Sequence, residues 1–112
     1  MSEPGFDLAS RIDLHPTYLH IVQEIFRRRL PGQEVWAFGS RTNGTAKPYS
    51  DLDLAVMTSL PMDLSVLASL SDDFSESDLP FKVDVVDWAT TGEAFRAIIS
   101  RDKLVMVRPQ AK

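Results

Sequence analysis

Cysteine is absent from all 112 residues, which removes disulfides and thiolate metal sites from consideration. No apolar run approaches the roughly 20 residues that a membrane-spanning helix needs. The acidic opening MSEPGFDLAS also lacks the charged-then-apolar order of a secretory leader. The expectation is a cytoplasmic protein. A basic excess is missing too: 12 Lys and Arg against 16 Asp and Glu leave a net charge of −4. That balance argues against a domain built mainly to coat nucleic acid. It does not exclude a nucleotide, because a divalent cation in an acidic site reverses the local charge. The 44% hydrophobic and 25% charged fractions suit one globular domain, with no repeat or linker to divide it.

The elements are read from periodicity. Tyr18, Ile21, Val22, Ile25, Phe26 and Leu30 recur at helical spacing between Pro16 and the Pro31-Gly32 stop, so a helix is expected over about 15–30. Residues 1–14 are set apart as an N-terminal tail and 15–112 as the domain. EVWAF (34–38) reads as an interior strand, Trp36 and Phe38 on one face and Val35 and Ala37 on the other. Residues 39–50 have loop composition with room for one helical turn, and DLDLAVM (51–57) resumes a strand. PMDLSVLASLSDDF suggests a second helix, FKVDVVDW a third strand, Thr90 and Glu93 a capping box for a last helix, and KLVMV a final strand. This order implies a small α/β or α+β domain, a mixed sheet covered by helices.

The chemistry concentrates in FGSRTNGTAKPYSDLDLAV, residues 38–56. Alternation along the strand puts Asp51 and Asp53 on one face, about 6.5 to 7 Å apart. Two carboxylates so placed repel unless a cation joins them, and a hard divalent ion such as Mg²⁺ suits oxygen donors while leaving room for phosphate oxygens. The competing reading is that Asp51 caps a turn and Asp53 faces water. Against it stands Gly39-Ser40 at the end of the preceding strand, where glycine admits close backbone approach and the following amides and hydroxyl can cradle a phosphate. Ten residues separate Ser40 from Asp51, enough to bring cradle and carboxylates to one cleft.

A Gly-Ser, about ten residues and then Asp-x-Asp is similar to the signature of the polymerase-beta-type nucleotidyltransferase superfamily. The short chain and the GSR..G form resemble its minimal nucleotidyltransferase (MNT) family. The resemblance implies that Gly39 and Ser40 contact a nucleoside triphosphate and that Asp51 and Asp53 bind two Mg²⁺ ions. It also implies a third carboxylate on a neighbouring strand. Asp84 is preferred for lying inside the strand, with Asp87 at the strand end as the alternative. Arg41 is a candidate for the phosphates and Lys47 a weaker one, each with solvation or aspartate pairing as the competing role.

By the same resemblance the chain is expected to transfer AMP from ATP to a hydroxyl of a HEPN-type helical partner, as the antitoxin of a toxin–antitoxin pair. The alternatives are a binding antitoxin without catalysis, or transfer to a small hydroxyl compound. No direct nucleic-acid contact is expected. Arg27-Arg28-Arg29 reads as a solvated helix end and His15 and His20 as structural. Tyr49 either stacks on a base or packs on the core.

Overall fold

The computed structural model describes residues 8–109. Four strands, β1 (Val35–Phe38), β2 (Leu52–Val56), β3 (Val83–Asp87) and β4 (Leu104–Val107), form one sheet in the order β3-β2-β1-β4. β1 is antiparallel to both β2 and β4, whereas β2 and β3 run parallel. A parallel pair needs a crossover, and the helix between those two strands supplies it. β1 is interior, as its two covered faces require.

Five helices accompany the sheet: α1 (Leu8–Arg11), α2 (Pro16–Arg29), α3 (Ser40–Asn43), α4 (Leu64–Ser75) and α5 (Glu93–Asp102). α2 starts at Pro16, where a missing N–H costs nothing, and the Nδ1 of His15 accepts the Thr17 N–H at 3.1 Å. His15 is thereby structural. α2 and α4 cover one sheet face, burying Val22, Ile25, Phe26, Leu70 and Phe74 against Val35, Ala37, Leu52, Leu54 and Val56. Phe26 and Phe74 meet with ring centroids 5.6 Å apart. Each large side chain buried here contributes about 1.5 to 3 kcal/mol. On the same flank Arg28 and Arg29 reach Asp73 of α4 at 3.4 and 2.6 Å, and Arg27 pairs with Glu24.

α5 lies against the opposite face, where Phe38, Ala55 and Ile99 form a smaller core with Trp36, Met57, Val86 and Trp88 around it. The two tryptophans pack edge to face at 5.4 Å, with Lys103 over Trp36 and Arg96 over Trp88.

Two expectations need correction. Of the expected tail, residues 8–14 are described and belong to the domain: Leu8–Arg11 are helical, and Ile12 and Leu14 are buried in the main core. One helical turn is too short to leave a periodic signal. The capping box at Thr90 is not formed either. A 3-10 turn (Trp88–Thr90) intervenes, the Thr90 hydroxyl donates to Asp87, and Gly92 is the N-cap of α5. Among the described residues no helix is long and apolar enough to cross a membrane.

Candidate active site

The chain leaves β1 at Phe38, turns at Gly39 and enters α3 at Ser40. Gly39 has φ +85°, which favours glycine, and a Cβ added to it would lie 2.6 Å from Asp53 Oδ2 and push that carboxylate aside. Phe38 is the register partner of Asp53 on β2. The Gly-Ser turn therefore rests directly against the Asp-x-Asp strand. Gly39 O accepts the Thr42 and Asn43 N–H groups and the Thr42 hydroxyl, which hold the turn shut. The half-buried Ser40 hydroxyl makes no hydrogen bond among the described residues.

Alternation along β2 buries Leu52, Leu54 and Val56 in the main core and turns Asp53 to the α5 face. Asp84 of β3 is the register partner of Asp53. In a parallel pair these two backbones stand about 4.8 Å apart with both side chains on one face. Asp53 is half-buried, while Asp51 and Asp84 are exposed on either side of it. Burial, followed by the negative charges of Asp84 and Asp51, pushes the Asp53 carboxyl up to about 6. None of the three aspartates forms an ion pair among the described residues.

A set of carboxylate oxygens with uncompensated charge is chemically suited to a hard cation such as Mg²⁺. Among the described residues, no three such side chains are gathered closely enough to hold an ion as they stand. The backbone positions are adjacent, and the exposed Asp51 and Asp84 can reach other staggered rotamers without disturbing the core.

Asp87, the alternative third carboxylate, faces away. It is 7% exposed and accepts from the Met62 N–H at 2.7 Å and from the Thr90 hydroxyl. Burial would raise its pKa, but these hydrogen bonds outweigh burial and hold the carboxyl below its ordinary value. Its capacity is spent on the fold.

Arg41 also departs from expectation. Its side chain is turned inward, 5% exposed, and lies over the Phe81 ring with the guanidinium carbon 4.3 Å from the centroid. All its donor nitrogens go to backbone carbonyls, of Asp13, Pro48 and Ser50. A guanidinium so committed is not presented to a phosphate. Lys47 stays exposed, and Tyr49, 76% exposed, does not pack on the core.

Two contributors had escaped the sequence reading. The Asp13 backbone donates its N–H to Arg41 O and accepts from the Arg41 guanidinium at its carbonyl. Asp102, at the end of α5, accepts from Arg101, from the Asn43 amide and from the Gly39 backbone N–H, which together lower its pKa against burial. It ties the Gly-Ser turn to α5. Neither belongs to a motif, and only the tertiary structure brings them to the turn.

A mixed four-stranded sheet with a Gly-Ser turn pressed against an Asp-x-Asp strand defines a nucleotidyltransferase-type site. The chain belongs to the polymerase beta nucleotidyltransferase family, whose pattern it matches over residues 21–111. It is 47% identical over 97 residues to the probable protein adenylyltransferase MntA of Haemophilus influenzae, covering 87% of this chain and 85% of that protein. The fold is similar to that of a toxin–antitoxin crystal structure with AMP-PNP, at TM-score 0.69 and 22% identity over 82% of this chain and 74% of the other. It is also similar to a tri-AMPylated Shewanella oneidensis HEPN toxin in complex with MNT antitoxin, at TM-score 0.64 and 21% identity over 84% and 72% of the two chains.

Proposed function

We propose that this chain is a Mg²⁺-dependent nucleotidyltransferase that moves AMP from ATP to a hydroxyl of a HEPN-type protein partner in the cytoplasm, as the antitoxin of a toxin–antitoxin pair. The observation that carries the reading is the contact of Gly39 with Asp53, itself the register partner of Asp84. That contact supports reading the Gly-Ser turn as a phosphate cradle beside a metal-binding strand. The MntA relative, named a probable protein adenylyltransferase, supports the reaction type, and the AMPylated HEPN toxin supports the acceptor class.

Asp51, Asp53 and Asp84 would hold the ions. When bound, Mg²⁺ lowers the pKa of an attacking hydroxyl and stabilises the departing pyrophosphate. The Ser40 hydroxyl orients the triphosphate, and Gly39 allows it to approach. The acceptor oxygen bonds to the α-phosphorus as the bridging oxygen leaves with pyrophosphate, and the acceptor proton passes to the exposed Asp84.

A second reading has one observation in its favour, the lack of a gathered ligand set: the chain neutralises its partner by contact alone. The test is transfer of label from α-labelled ATP to the partner with Mg²⁺. Label that depends on Asp53 supports catalysis. Neutralisation by Asp51→Asn and Asp53→Asn variants without any labelling supports contact alone.

A further inference from the structure

The loop between the Gly-Ser turn and β2 contributes no side chain to either hydrophobic core. Residues 43–45 and 47–49 are exposed, Tyr49 among them. Gly44 closes α3 in a left-handed conformation, and the Ser50 hydroxyl accepts the Lys47 N–H at 2.8 Å. Such local bonds shape a loop without fixing where it sits. The buried Arg41 supplies that fixation.

We infer that Arg41 is a positioning residue that sets the approach of the loop to β2, and through it the placement of Asp51, by clamping the Pro48 and Ser50 carbonyls to the Asp13 segment. Nε and Nη2 reach Ser50 O at 3.1 and 2.9 Å, and Nη2 also reaches Pro48 O at 3.1 Å. Nη1 reaches Asp13 O at 2.8 Å, and the Asp13 N–H returns to Arg41 O at 2.8 Å. Ser50 directly precedes Asp51, so the clamp acts one peptide from the carboxylate. The Phe81 ring lies under the guanidinium just before β3, which carries Asp84. One planar side chain thus joins the segment before α2, the loop and the β3 approach.

Lysine cannot replace it. An ammonium is a point donor on a flexible stem, whereas the fork holds carbonyls in fixed directions. The clamp stands on geometry alone. Its catalytic consequence deepens the nucleotidyl-transfer reading and rests on it.

The experiment compares wild type with Arg41→Lys by amide hydrogen exchange and by steady-state transfer from ATP to the partner with Mg²⁺. In Arg41→Lys the amides of residues 45–47 and 49–51 are expected to exchange at least about tenfold faster, with β1 and β2 unchanged. The kcat should fall about 100-fold while KM for ATP changes less than about threefold, as for a misplaced catalytic group. Guanidinium chloride at low millimolar concentration should recover part of kcat in Arg41→Ala. Unchanged loop protection together with a raised KM for ATP would overturn the inference and make Arg41 a phosphate ligand.

Wild type without transfer activity would count against the nucleotidyl-transfer reading, and the exchange measurement would still decide the clamp. Should Arg41→Lys fail to fold, Phe81→Leu keeps the guanidinium and removes its support. Faster exchange of the same loop amides sustains the inference, and unchanged exchange contradicts it.

Discussion

Asp53 and Asp84 are register partners on adjacent parallel strands, with the Asp53 carboxyl raised to about 6 by burial and by the charges of Asp84 and Asp51. The folded state therefore binds the Asp53 proton more tightly than the unfolded chain does. Without divalent cations its contribution to stability is greatest below the unfolded pKa, declines as pH rises towards about 6, and is level above that. With solvent screening of a half-exposed group, the loss is about 1 kcal/mol. Asp53→Asn removes that decline. Urea unfolding at pH 4.5 and 7.5 should show the variant at least as stable as wild type at the higher pH.

Transfer has the opposite pH dependence. A protonated Asp53 cannot ligate a cation, so activity should rise as pH passes through about 6. Mg²⁺ competes with the proton, so raising its concentration should move the midpoint of the pH–rate profile to lower pH. A midpoint independent of Mg²⁺ would separate the titrating group from the ligand set.

Gly39→Ala should fold with a penalty of about 1 to 3 kcal/mol for its left-handed backbone. Its methyl would meet Asp53 Oδ2, displacing the carboxylate and lowering transfer by about 100-fold or more. Thermal unfolding and transfer rates on the same sample separate the two losses.

Asp84 and Asp87 are distinguished by opposite signatures. Asp87→Ala orphans the Met62 N–H, which costs about 1 to 3 kcal/mol, while folded molecules keep their activity. Asp84→Asn should leave stability within about 0.5 kcal/mol, as at other exposed positions, and abolish transfer.

The facing of Asp53 was legible because strand alternation determines it, and Leu52, Leu54 and Val56 anchor that alternation in the core. The face on which Asp84 stands followed from the same rule once β3 was recognised. Its pairing with Asp53 needed the parallel register, which no local pattern encodes. The inward turn of Arg41 was not legible, because adjacency to the turn says nothing about direction. The carbonyls it meets come from 7 to 28 residues away. Residues 8–14 were set aside for a similar reason, since Ile12 and Leu14 find their partners only in the folded core.

The most direct test of the proposed chemistry is transfer of α-labelled AMP from ATP to the HEPN-type partner, with Mg²⁺, by wild type and by Asp53→Asn. Label on the partner with wild type and none with the folded variant is the predicted result. Equal labelling by both, or a stable complex that wild type never labels, would contradict the assignment of Asp53 and its neighbours as the catalytic centre.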